Sequence, residues 1–89
     1  MPECTAEAIE ATLREHFSPS ELTVLDETGN HAGHAGAHPS GRGSHFRVII
    51  TSAAFNGLTR VQRHRLVYDA LDDFFALGLH ALAVQAKDH

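Results

Sequence analysis

His45-Phe46-Arg47-Val48-Ile49-Ile50-Thr51-Ser52 is the stretch on which the fold turns. Phe46, Val48 and Ile50 alternate with His45, Arg47, Ile49 and Thr51, the period of a strand whose two faces meet different surroundings. The run is rich in β-branched residues, which suits a half-buried strand. Upstream, Glu21 to Thr28 reads as another strand, with Leu22 and Val24 on one face and Thr23 and Leu25 on the other. Between the two lie Gly29 to Gly43, fifteen residues of mostly Gly, His, Ala, Pro and Ser with no apolar period. Loops of that length in compact domains are uncommon and usually functional. Further upstream, Ile9, Leu13 and Phe17 fall at i, i+4 and i+8, so Thr5 to Phe17 reads as an amphipathic helix. Glu3 and Glu7 lie near its start, where the helix dipole favours negative charge, and Ser18, restricted by Pro19, ends it.

Downstream, Ala53-Ala54-Phe55-Asn56-Gly57 breaks the strand pattern and has room for a single helical turn. Thr59 reads as an N-cap for a helix running to about Ala76, with Val67, Ala70, Leu71 and Phe74 as its apolar stripe. Gly78 is its expected stop, and His80 to Ala86 is the last strand, Leu82 and Val84 facing one way and Ala81 and Ala83 the other. The order is helix, two strands, helix, strand: an α+β chain. At 89 residues with 43% hydrophobic composition, it forms one domain, residues 1–89, with one modest core.

Composition narrows the function. No run approaches the roughly 18 apolar residues of a membrane span. The acidic N-terminus has no apolar segment of the signal-peptide kind, so a cytoplasmic, reducing setting is expected. One cysteine, Cys4, placed where the terminus is expected to fray, excludes an intrachain disulfide and an iron–sulfur cluster held by the chain's own thiolates. The net charge of −4 is unevenly spread. Residues 1–27 carry seven acids and one Arg, residues 28–68 carry five Arg and no acid, and residues 69–89 carry four acids and one Lys. The basic block also holds five of the eight histidines. Such a block meets nucleic acid, an anionic ligand or an acidic partner, or simply balances the acidic segments beside it.

Neutral imidazole is the commonest metal ligand. His31, His34 and His38 share one loop, but no carboxylate lies near them in sequence to orient a closed zinc site. His80 stands where Gly78-Leu79 hands over to a strand, so backbone fixes its ring. A fixed His and a loop His supply two ligands, and two thiolates from elsewhere would complete the His₂Cys₂ set of Rieske-type [2Fe–2S] centres. Ser44 and His45 are adjacent and point to opposite faces, so they form no catalytic pair, and no phosphate-binding or dinucleotide fingerprint is present. The residues read as a binding protein and not an enzyme.

Four blocks carry a family resemblance: Asp26-Glu27-Thr28-Gly29-Asn30-His31-Ala32-Gly33-His34; Ser44-His45-Phe46-Arg47-Val48; Phe55-Asn56-Gly57 with Arg63-His64-Arg65-Leu66-Val67-Tyr68; and Gly78-Leu79-His80-Ala81-Leu82-Ala83-Val84. Together they resemble the BolA family over about residues 5 to 87. The resemblance implies a class II KH-like α/β fold, α-β-β-α-β, with a three-stranded mixed sheet and helices on one face. It implies partnership with monothiol glutaredoxins of the CGFS type in iron–sulfur cluster trafficking or iron homeostasis. In that heterodimer a bridging [2Fe–2S] cluster takes one thiolate from the glutaredoxin and one from glutathione. The BolA-like chain then contributes His80 and a residue of the loop after the first strand, His31 by position, with His34 the alternative. The cofactor is thus expected only in the complex. The resemblance also implies an alternative role as a nucleic-acid-binding transcriptional regulator of stress response and cell morphology. For that role Arg47, Arg60, Arg63 and Arg65 are the candidate contacts to DNA phosphates.

Overall fold

A computed structural model describes residues 4–27 and 45–88. The segment holding His31, His34 and His38, expected as a loop, lies outside the described residues. Three strands, β1 (Glu21–Asp26), β2 (His45–Thr51) and β3 (Ala81–Lys87), form one sheet in the order β1-β2-β3. β1 and β2 are antiparallel, with Leu22 opposite Ile50 and Val24 opposite Val48. β2 and β3 are parallel, with Phe46 opposite Leu82 and Val48 opposite Val84. The alternation in the sequence therefore becomes one apolar row per rung. Phe46, Val48 and Ile50 are buried, while Arg47 between them is exposed.

The helices α1 (Ala6–Phe17), α2 (Arg60–Ala70) and α3 (Asp72–Ala76) cover that apolar face. Ile9 and Leu13 come from α1, Val67 from α2, Leu71 from the junction after it and Phe74 from α3, all packed in one core with Phe46, Val48 and Ile50. A parallel pair such as β2 and β3 needs a crossover, and α2 with α3 supplies it. The fold is the expected α+β arrangement with a mixed three-stranded sheet.

Local chemistry sets the boundaries. Thr5 caps α1 by accepting from the Ala8 N–H at 3.1 Å. Ser18 leaves the helix in a left-handed conformation, φ 43°, and its N–H closes on the Arg14 carbonyl. Thr59 and Gln62 form a reciprocal capping box at the start of α2. β2 ends one residue early because Ser52 turns inward. Its hydroxyl donates to the Phe17 carbonyl at 2.7 Å and accepts from Ala54, starting a single 3₁₀ turn at Ala53–Phe55. Gly57 closes that turn at φ +77°, where a Cβ would meet no neighbour, so backbone conformation alone calls for glycine.

Three further expectations need correction. The long helix to Ala76 is two helices, broken at Leu71, whose N–H is shared between the Val67 and Tyr68 carbonyls. Asp72 and Asp73 open the second helix, where the dipole favours acids. The last strand begins at Ala81, not at His80. Cys4 is not frayed: it is 9% exposed and belongs to the core. Burial, with the Asp26 carboxylate adding to it, pushes the Cys4 thiol up, so it stays protonated at neutral pH.

Two side chains of α2 reach the outer edge of β3. Tyr68 donates its hydroxyl to the Leu82 carbonyl at 2.6 Å. Arg63 donates to the Ala86 carbonyl at 3.3 Å and to the Leu58 carbonyl at 3.0 Å, and meets Asp88 at 3.4 Å. Edge carbonyls left open invite pairing with another chain, and these two side chains occupy those of Leu82 and Ala86. Losing the two carbonyl bonds of Arg63 is expected to cost about 1–3 kcal/mol. Urea unfolding of Arg63→Met, which keeps most of the apolar stem, checks this. A change within about 0.5 kcal/mol, the range of an ordinary surface substitution, would contradict it.

Candidate functional site

The first rung of the sheet brings three chain segments together. The Glu27 N–H donates to the His45 carbonyl at 2.8 Å, and His45 stands opposite Ala81 in the parallel register. The connection between β1 and β2 therefore leaves the sheet at Glu27 and returns at His45, beside the start of β3. His80 is the residue just before that start and is exposed. The Leu79 N–H bonds the Phe74 carbonyl at 3.0 Å, and Gly78 turns the chain at φ 113°. His80 thus enters from a fixed turn on one side and a hydrogen-bonded strand on the other.

His45 is half-buried, and its ring lies 5.6 Å from that of His80, centroid to centroid, in an edge-on arrangement. Periodicity assigned His45 to a strand face but gave no sign of this neighbour, because the pairing arises from the register of β2 with β3. His31 and its alternative, His34, lie outside the described residues, so their approach to His80 is not part of this geometry. Among the described residues, no group of three or more His, Cys, Asp or Glu is arranged to hold a metal ion. The imidazoles described at this end of the sheet are those of His45 and His80. The Cys4 thiol is buried and protonated, unlike an available thiolate.

An exposed apolar margin is formed by residues of α2, α3 and the turn that follows it. Tyr68, held to the Leu82 carbonyl, stacks on Phe75 with ring centroids 5.8 Å apart. Tyr68, Phe75 and Leu77 are all partly open to solvent.

The four candidate arginines divide. Arg47 is paired with Glu27 at 3.0 Å on the sheet face away from the helices. Arg63 is only 20% exposed and is bound to two backbone carbonyls. Arg60 and Arg65 are exposed on α2 and make no ion pair among the described residues. Arg60 and Arg65 are thus the two of the four that neither an ion pair nor a backbone carbonyl engages among the described residues.

Fold and site together define a small α+β domain that offers imidazole donors at one end of a mixed sheet. Residues 13–89 match the model of the BolA-like protein family. The chain is 45% identical over 80 residues to BolA-like protein 1 of Mus musculus, covering 90% of this chain and 55% of that one. It is 46% identical over 79 residues to an uncharacterized protein in the cobS 5′ region of a Sinorhizobium species, covering 89% and 85%. The chain thus spans about half the length of the mouse relative. Among solved structures, BolA1 from Arabidopsis thaliana superposes with a TM-score of 0.83 at 38% identity, covering 99% of this chain and 95% of that one. The BolA domain of SufE1 from the same plant gives 0.79 at 42% identity, covering 93% and 90%. This chain belongs to the BolA family. Among the described residues, no helix is long and apolar enough to cross a membrane.

Proposed function

We propose that this chain is the partner of a monothiol CGFS glutaredoxin and co-ligates a bridging [2Fe–2S] cluster with it, in iron–sulfur cluster trafficking or iron homeostasis. The observation that carries the reading is the exposed His80, fixed at the mouth of β3 beside both ends of the β1–β2 connection. His80 would be one ligand, and His31, or in its place His34, the other. The donor set fits half of such a centre. Two neutral imidazoles suit iron, and the two thiolates come from the glutaredoxin and from glutathione. When bound, the cluster supplies the link between the two proteins. This chain's residues hold the imidazoles in place, and Tyr68, Phe75 and Leu77 give a partner an apolar margin to cover. The role is one of binding, with no catalytic step assigned to the chain, and the reducing cytoplasm is the setting proposed for it.

Anaerobic reconstitution tests the reading. The chain alone, with iron and sulfide, is expected to stay colourless, because its only thiol is buried and protonated. Adding a CGFS glutaredoxin and glutathione should produce a coloured complex whose visible circular dichroism differs from that of the glutaredoxin with glutathione alone. A stable cluster on the chain by itself, or an unchanged spectrum in the mixture, would overturn it.

A further inference from the structure

The side of α2 that faces away from the core lacks the uniformly polar surface of an ordinary surface helix. Val67 is buried in the core, and helical periodicity puts Leu58, Gln62, Arg65 and Asp69 on the opposite side. With Leu66 these four line one open groove. Val61 beside it is 66% exposed, the most open of the large apolar side chains described, and Leu66 is 38% exposed. Arg65 and Asp69 lie one turn apart and are both exposed, yet they pair neither with one another nor with any other charge among the described residues. Charge is also segregated along the chain here. Arg60 and Arg65 stand in the first half of α2, and Asp69, Asp72 and Asp73 follow.

We propose that this face binds a second copy of the chain, α2 packed antiparallel against α2 about a twofold axis. A twofold interface must be self-complementary, because whatever residue i meets on one copy, it meets again with the copies exchanged. Antiparallel packing lays the basic half of one helix along the acidic half of the other. Centred near Leu66 and Val67, it sets Arg65 of one copy opposite Asp69 of the second and repeats that pair across the axis. Leu66 then meets its own counterpart, with Leu58 and Val61 covered to either side. Parallel packing would set like charge against like. The 11 residues of α2 span about 16 Å, so the contact falls short of the roughly 800 Å² per partner of a standard stable interface. The dimer is therefore weak, and its ion pairs are screened by salt. Because Arg65 is common to both, pairing of two copies and phosphate contact by that residue exclude one another. The proposal goes beyond the cluster reading, and its test contains no glutaredoxin, iron or glutathione, so failure of one leaves the other standing.

Sedimentation equilibrium of the full chain tests this. At low ionic strength the wild type should self-associate as its concentration rises to about 1 mM, the weak end of the affinity range, and should dissociate as salt is added. Arg65→Asp sets acid against acid across the axis, and Asp69→Arg sets base against base. Either change alone should weaken association at least about tenfold. Both positions are exposed, so the fold should survive, which far-ultraviolet dichroism checks. An equimolar mixture of the two variants restores opposite charges at both pairs and should associate about as tightly as wild type. An apolar face that is merely adhesive, or a groove shaped for a different protein, predicts no such rescue. A wild-type chain that stays monomeric throughout would overturn the proposal. So would single variants that associate like wild type, or a mixture that gains nothing over either variant alone.

Discussion

Replacing His80 by alanine is expected to abolish the heteromeric cluster spectrum while leaving the protein folded. His80 is exposed and carries no core contact, so its loss should change stability by no more than about 0.5 kcal/mol. Its contribution to ligation should be far larger. Removing only a hydrogen-bonding partner of a metal ligand costs about 10–100-fold in affinity, and losing a ligand itself should cost at least that. His31→Ala should weaken the same spectrum without removing it, because His34 and His38 follow within the same connection and can substitute. Visible circular dichroism of the reconstituted complex, with far-ultraviolet dichroism as the folding control, reads both effects. A wild-type visible spectrum for His80→Ala would remove it as a ligand. If His34→Ala alters the spectrum and His31→Ala does not, His34 is the loop ligand.

Phe55→Ala should produce the largest loss of stability. The side chain is fully buried in the 3₁₀ turn, and its ring lies 5.1 Å from that of Phe17 at the end of α1. Ser52 ties the same two segments together through the Phe17 carbonyl. Truncating a buried phenylalanine costs about 3–5 kcal/mol through lost transfer energy and the cavity left behind. A domain of this size holds only about 4–13 kcal/mol in total, so a large share of its stability goes with that ring. Urea unfolding of Phe55→Ala against Phe55→Leu checks this, and the leucine should recover more than half of the loss. Equal stability of the alanine variant and wild type would place Phe55 outside the core.

The two variants divide the motifs by the kind of information they hold. Phe55-Asn56-Gly57 is a structural signature, a buried ring followed by a turn that needs positive φ at Gly57. His80 is a site signature, exposed and held by backbone. The sheet was legible because Phe46, Val48 and Ile50 alternate with polar residues, and a half-buried strand has that same period. The division of the last helix was not. Val67, Leu71 and Phe74 keep helical spacing straight through the break, and only the acidic pair Asp72-Asp73 hinted at a second start. Burial of Cys4 is not legible locally, because nearness to a terminus says nothing of the core that the residue packs into. The contacts of Arg63 with Ala86 and of His45 with His80 were hidden for a shared reason. The Ala86 partner of Arg63 and the His80 neighbour of His45 lie more than twenty residues away, brought in by the parallel pairing of β2 with β3 and the crossover over the sheet. A charge or a ring can be read from sequence, but what it meets depends on register.

Native mass spectrometry of the mixture of this chain, a CGFS glutaredoxin, iron, sulfide and glutathione tests the central claim most directly. Co-ligation predicts a species whose mass is one copy of this chain, one glutaredoxin, one glutathione and one [2Fe–2S] cluster. Under the same conditions His80→Ala should lose that species. A cluster found only in glutaredoxin dimers, with this chain free beside them, would contradict the account.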